Sequence, residues 1–120
     1  MKADLHNHSY YSDGVLSPTE VVRLANQAEC DLFSLTDHDT TDGIAEAQLE
    51  ADLLNLNLVN GVEISALWQN MAIHILGLGI DIKNDILQTG LEHNQKLRKE
   101  RAEKIALGLW RSGIKDALEK

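Results

Sequence analysis

The sequence holds a single cysteine, Cys30, and a single proline, Pro18, and its aromatic residues are two tryptophans, two tyrosines and one phenylalanine in 120 residues. One cysteine excludes an intramolecular disulfide and fits a reducing compartment. Cys30 precedes an apolar run and reads as a small core residue rather than a thiolate ligand. Long apolar runs are missing too, so no segment is expected to span a membrane. The opening Met-Lys-Ala-Asp lacks the apolar stretch of a signal peptide, and the cytoplasm is the expected location. Basic residues are scarce: 11 Lys and Arg stand against 19 Asp and Glu, a net charge of -8. That balance argues against an extended basic groove for nucleic acid. It leaves room for a pocket that takes one phosphorylated end, because bound cations invert the local field.

The apolar content of 43% is enough for one small domain with a modest core. Lys2 to Leu5 reads as a short strand. Ser17-Pro18-Thr19-Glu20 then starts a helix with an N-cap, a proline at the first helical position and a capping-box glutamate. Val21, Val22, Leu24, Ala25 and Ala28 form its apolar face. Leu32 to Thr36 is a second strand, stopped by the polar cluster from Asp37 to Gly43. Ile44 to Leu54 is a second helix, with Ile44, Ala47, Ala51 and Leu54 on one side. Leu58 to Ile64 and Met71 to Leu78 are further strands, with Trp68-Gln69-Asn70 as the turn between the last two. This β-α-β-α-β-β order predicts a largely parallel α/β sheet. The texture changes near Lys83-Asn84. From Asp85 to about Ser112 the chain is helical and charged, closed by Gly113, with an imperfect apolar stripe of Leu87, Leu91, Leu97, Ile105 and Leu109. Two units are expected, residues 1–83 and a helical segment over 84–120.

The chemistry-bearing residues gather at the proposed strand ends. His6 and His8 follow the first strand, and residues i and i+2 of a strand share a face. Neutral imidazole is a common ligand for zinc, iron and related ions, although an isolated His-Asn-His is a weak signal. Asp37-His38-Asp39 follows the second strand, Glu63 interrupts the apolar third, and His74 lies in the fourth. In parallel α/β sheets the chemistry collects outside the carboxyl ends of strands. Each proposed strand thus brings a ligand-type residue to or near one rim. Glu63 is either exposed or meets a cation, since a lone buried carboxylate is expensive; its two oxygens allow it to bridge two ions. Asp13, in a turn before Gly14, is placed to reach back over the rim. Asp37 or Asp39 is expected to orient the His38 ring, and Asp4 to support the cluster from behind or serve the fold. His93, on the charged helix, reads as a solvated residue.

These motifs, "DLHNHSYYSDG", "LTDHDT", "GVEIS" and "HILGLGID", resemble in order and spacing those of the PHP (polymerase and histidinol phosphatase) family. They are most similar to its bacterial branch of 3',5'-nucleotide bisphosphate phosphatases and a 5'-to-3' exonuclease of short RNA. The resemblance covers about the first 80 residues, and the helix after Asp85 is similar to the start of that branch's helical insertion. It implies the N-terminal part of a distorted (β/α)7 barrel. It also implies His6, His8, Asp13, His38, Glu63 and His74 as ligands of two or three divalent metals, Mn, Fe, Zn or Mg, with Glu63 bridging. The family's later ligands, a histidine and an Asp-x-His pair, have no counterpart here. The sequence therefore reads as an N-terminal fragment, or as a chain that pairs with a second one to close an open sheet.

The function implied is hydrolysis of a phosphate ester by metal-activated water, on a small phosphorylated nucleotide or the 5' end of a short RNA. The catalytic group would be that water, and no side chain is assigned as leaving-group acid. Arg98 and Arg101 are candidates for gripping phosphate through their guanidinium forks; the competing reading is a solvated helix with pairs such as Glu100 and Lys104. Alternatives are a histidinol-phosphatase-like enzyme, a polymerase-linked exonuclease domain, and a catalytically incomplete metal-binding fragment that seeks a partner through its sheet edge.

Overall fold

The computed structural model describes residues 1–111. In chain order the elements are β1 (Ala3–Asp4), α1 (Pro18–Gln27), β2 (Leu32–Phe33), α2 (Ile44–Leu53), β3 (Asn57–Leu58), β4 (Gly61–Trp68), β5 (Met71–Leu78) and α3 (Asp85–Arg111). The expected closure of the last helix at Ser112 and Gly113 lies outside the described residues.

Helix α1 begins as its sequence dictates. The Ser17 side chain accepts from the Glu20 amide at 3.2 Å, and the Glu20 carboxylate accepts from the Ser17 amide at 3.2 Å. This reciprocal pair satisfies two amides that have no partner within the helix. Val21, Val22 and Ala25 face inward, whereas Leu24, assigned to the apolar face from spacing, is exposed. Helix α2 buries Ile44, Ala47 and Ala51. The two helices pack on one another. Arg23 donates to Glu50 at 3.0 Å and Thr19 to Glu46 at 2.9 Å across them. Their apolar faces close on Phe33, Leu35, Cys30 and Leu56, with Leu16, Leu54 and Leu58 at the margin. Cys30 is a buried core residue.

The parallel sheet has the order β1-β2-β3, with Ala3 opposite Leu32 and Leu32 opposite Asn57. Its regular ladder is shorter than the apolar runs suggested. The pairing continues as irregular extended chain: Ser34 donates to the Asp4 carbonyl at 3.0 Å and Thr36 to that of Asn7 at 2.7 Å. The expected third strand, Leu58 to Ile64, divides at Val59-Asn60. β4 begins at Gly61, packed so close to the parallel layer that a Cβ would collide with the Ser34 hydroxyl and lie 2.8 Å from the Thr36 methyl.

The largest departure from the expected parallel sheet is the β4–β5 hairpin, antiparallel over its whole length from Gly61↔Leu78 to Trp68↔Met71. Gln69 and Asn70, both with positive φ, form its two-residue turn. A connection that short can join only antiparallel strands. The hairpin meets the parallel layer through one parallel bridge, His38↔Glu63, in which Asp39 donates to the Glu63 carbonyl at 2.9 Å and Glu63 to the Asp37 carbonyl at 3.0 Å. Helix α3 buries Leu91. Of the stripe expected on it, Leu97 and Ile105 are exposed. Among the described residues no helix is long and apolar enough to cross a membrane.

Candidate metal centre

The β1 chain end, the turn after β2, β4 and β5 meet at one rim. Glu63 lies at its centre. The carboxylate is buried, with Oε1 2.7 Å from His6 Nε2 and 3.1 Å from His8 Nε2, and Oε2 3.0 Å from His74 Nδ1. His74 pairs with Ser65 and therefore sits diagonally across the hairpin from Glu63, within reach on the same face. His38 stacks on His8 with ring centroids 4.5 Å apart, and the His38 and His74 rings meet edge to face at 5.0 Å. Asp13 returns over the rim with Oδ2 3.0 Å from His38 Nε2 and Oδ1 3.4 Å from His8 Nδ1.

The six residues form three overlapping sets: His6, His8 and Glu63; His8, Asp13 and His38; and His38, Glu63 and His74. Within each set the donor atoms lie within 4.8 Å of one another. One observation tests whether they fit a metal. His38 Nδ1 is buried without a hydrogen-bond partner and stands 3.8 Å from Glu63 Oε1. A buried polar atom left in this state is uncommon and calls for a missing partner. An ion bound by imidazole nitrogen and carboxylate oxygen answers it, and the donor set suits Zn, Mn or Fe.

Charge is concentrated here. Burial pushes the Glu63 carboxyl upward, but the His6 hydrogen bond and the neighbouring His38, His6 and His8 rings outweigh it, so its pKa lies below the ordinary value. The same opposition acts at Asp13: burial raises it, His8 and His38 lower it further, and the net direction is down. Both carboxylates are thus held ionised, the form a cation requires.

Neither flanking aspartate hydrogen-bonds the His38 ring, so the direct contact expected of them is missing. Asp37 is buried and turns back to the first loop, where it accepts from the Ser9 amide and hydroxyl, both at 2.6 Å, and from the Ser12 hydroxyl at 2.8 Å. It thereby fixes the loop that carries Asp13. Asp39 turns the other way, toward Ser65, Asn94 and Arg98. Asp4 is exposed, and its main-chain carbonyl accepts from Ser34 and from the Asn7 side chain at 3.2 Å. Ser9, Ser12, Ser65 and Asn94 were not singled out from the sequence; nothing local marks them, because each meets its aspartate across 25 residues or more.

Gly14 closes the Asp13 loop. A Cβ there would lie 2.6 Å from the His8 carbonyl oxygen and 2.9 Å from the Ser9 carbonyl carbon, both main-chain atoms with little freedom to yield. Gly14→Ala is expected to cost about 1–3 kcal/mol in urea unfolding and to weaken manganese binding several-fold. Wild-type values for both would contradict this reading of the loop.

Arg98 borders both cavities but is partly engaged by the protein itself. Its Nε donates to Asp39 Oδ2 at 2.8 Å and its Nη2 to the Ser65 hydroxyl at 2.9 Å. Two cavities flank the cluster. A space of about 380 Å³ is bordered by Tyr11, Asp13, His38 and Arg98. A groove of about 690 Å³ runs between the hairpin and α3, walled by Leu67, Ile73, Leu97 and Ile105, with His74 and Arg101 on its lining. His93, read from the sequence as a solvated residue, is exposed and lines the same groove.

The PHP domain matches residues 4–107. The chain belongs to the PHP domain family. It is 42% identical over 118 residues to a 5'-3' exoribonuclease of Haemophilus influenzae, covering 98% of this chain and 43% of that protein. It is 44% identical over 111 residues to a 3',5'-nucleoside bisphosphate phosphatase of Chromobacterium violaceum, covering 92% of this chain and 39% of that protein. The solved structure of a Chromobacterium violaceum amidohydrolase with bound sulfate and no metal superposes with a TM-score of 0.90 at 43% identity, over 96% of this chain and 40% of that one. The PHP chain described here therefore spans about 40% of the length of the curated relatives it matches. Its mixed α/β architecture, a parallel layer flanked by helices, is part of that shared fold.

Proposed function

We propose that this PHP domain takes part in metal-dependent hydrolysis of phosphate esters, on small phosphorylated nucleotides such as 3',5'-bisphosphates or on the 5' ends of short RNA. The observation that carries the reading is the gathering of His6, His8, His38 and His74 around Glu63, with Asp13 closing the ring and His38 Nδ1 lacking a partner. These six residues would hold two or three divalent ions, Glu63 from two sides. Such ions, when bound, neutralise phosphoryl oxygens and bring the ionisation of water toward neutral pH. The relatives' names support the substrate class: one acts on nucleoside bisphosphates and one is an exoribonuclease.

The chain's own residues have definable work. Glu63 and Asp13, both ionised, set the charge of the rim. Asp37 holds the Asp13 loop against the β2 end through Ser9 and Ser12. The groove beside His74 offers apolar walls for a base and Arg101 for a phosphate. Arg98 also lines both cavities, but its Nε and Nη2 are already engaged with Asp39 and Ser65. Arg101→Ala is thus expected to raise the Michaelis constant for a nucleotide several-fold with an unchanged melting temperature. Arg98→Ala is expected to lower stability by about 1–3 kcal/mol, because it leaves a buried carboxylate short of a donor. Equal effects of the two variants on the Michaelis constant, with no loss of stability, would remove this division.

A second reading is favoured by the apolar surface of the hairpin. Leu67, Trp68, Met71, Ile75, Leu76 and Leu78 are all exposed. By the register, Leu67, Leu76 and Leu78 lie on the Glu63 side of the hairpin and Trp68, Met71 and Ile75 on the other, so apolar surface is uncovered on both sides; this suits a further polypeptide that completes the sheet, and the chain would then bind metal without turnover until it is covered. One experiment separates the readings: metal content and hydrolysis of adenosine 3',5'-bisphosphate and of a short 5'-phosphorylated RNA, measured on the same sample. Metal with turnover that a chelator abolishes supports the first; metal without turnover supports the second; neither metal nor turnover overturns both.

A further inference from the structure

We infer that Asp39 is a positioning residue through which helix α3 holds His38 in place for metal. The inference rests on the metal reading above and goes beyond it, because α3 supplies none of the six proposed ligands. Asp39 is fully buried and adopts a left-handed backbone, φ 54°, next to His38 in the chain. A non-glycine residue in that region persists when its surroundings over-determine it. Here the constraints are countable. The carboxylate accepts from the Ser65 amide at 2.8 Å, the Ser65 hydroxyl at 2.6 Å, Asn94 Nδ2 at 3.0 Å and Arg98 Nε at 2.8 Å. The Asp39 carbonyl accepts from Gln95 Nε2 at 2.7 Å, and its amide donates to the Glu63 carbonyl at 2.9 Å.

The donors come from two elements. Ser65 is on β4, two residues after Glu63, whereas Asn94, Gln95 and Arg98 lie within just over one turn of α3. Asn94 also donates to the Ser65 carbonyl at 2.9 Å and Arg98 to the Ser65 hydroxyl, so α3 grips the strand and the turn together. His38 and Glu63 are thereby set against each other by a clamp behind both. The main chain that carries His38 therefore cannot shift without breaking several hydrogen bonds to the Asp39 carboxylate, each assisted by its charge. The coupling is reciprocal: if docking of α3 favours the metal-binding arrangement of His38, bound metal must favour docking of α3 by the same factor.

The test uses the full chain and manganese(II) alone. Asp39→Asn keeps size and tolerance of the left-handed backbone while removing the charge and one acceptor. It is expected to weaken manganese binding, measured by calorimetry, about 10–100-fold, as loss of a residue supporting a ligand does. Arg98→Gln, whose hydrogen bonds run to Asp39 and Ser65, is expected to weaken it about 3–10-fold and to move the His38 ring resonances of the metal-free protein. Manganese is expected to slow amide exchange in the 91–98 stretch of α3 in the wild type and to do so less in Arg98→Gln. A clamp that serves stability alone would lower the melting temperature of both variants, leave affinity within twofold of wild type and leave the His38 resonances unmoved; that result overturns the inference. If Asp39→Asn does not fold, Arg98→Gln decides alone by the same criteria. If the wild type binds no manganese, the metal reading falls by itself. The His38 resonances of metal-free Arg98→Gln then decide whether the clamp positions that ring: a shift supports it and none overturns it.

Discussion

Glu63→Gln is expected to weaken divalent-metal binding by at least about 100-fold, more than loss of a supporting residue costs, while leaving the fold intact. Two of the three donor sets share this one carboxylate, so a single oxygen-to-nitrogen exchange disables both. Glutamine fills the same space and can still hydrogen-bond His6 or His74, but its amide presents one neutral acceptor where the carboxylate offers two charged ones. The four histidines around it would remain in place with Asp13, beside His8 and His38, as the remaining negative charge among the six. Calorimetric titration with manganese(II), paired with a thermal melt of the metal-free protein, checks both halves of the expectation. Affinity within a few-fold of wild type would show that Glu63 is a hydrogen-bonding residue of the rim and no more.

Phe33→Ala is expected to cost about 3–5 kcal/mol. Phe33 is fully buried at the centre of the core, beneath α1 and α2, and it is the chain's one phenylalanine. Its neighbours include Ala25, Ala47 and Ala51, short side chains with little ability to collapse into the space it leaves. Domains of ordinary stability have about 5–15 kcal/mol in total, so the variant should be close to unfolded in mild urea. Because Phe33 pairs with Asp4 and Leu58 in the register of the parallel sheet, the loss should loosen the strands that lead to His6 and His38 as well. A change below about 1 kcal/mol in the urea transition would mean that the core is centred elsewhere.

The parts of this architecture that were legible in the sequence are those coded locally. The α1 start is spelled out in Ser17-Pro18-Thr19-Glu20, and the structure forms both bonds of the capping box. The inward face of α2 follows from the spacing of Ile44, Ala47 and Ala51. The rim cluster was legible because each strand run ends in, or is interrupted by, a ligand-type residue, and all six candidates are brought together. What the sequence left open depends on contacts made at long range. Asp37 and Asp39 both flank His38, and nothing near them says that one would reach back to Ser9 and the other across to Asn94 and Arg98. The same holds for Arg98: in the chain it stands among other basic residues of α3, and only the buried Asp39 carboxylate, 59 residues away, separates it from Arg101. The hairpin is a local exception: the short Trp68-Gln69-Asn70 turn is visible in the sequence, and a connection of that length joins only antiparallel strands, whereas the division at Val59-Asn60 is not marked by the apolar pattern.

Anomalous diffraction from crystals of the chain soaked in manganese(II) tests most directly whether divalent ions sit among these six side chains. The predicted result is at least one strong peak enclosed by His6, His8 and Glu63 or by His38, Glu63 and His74, lost in Glu63→Gln crystals treated alike. Peaks confined to other surface carboxylates, with the histidine ring vacant at saturating metal, would contradict it.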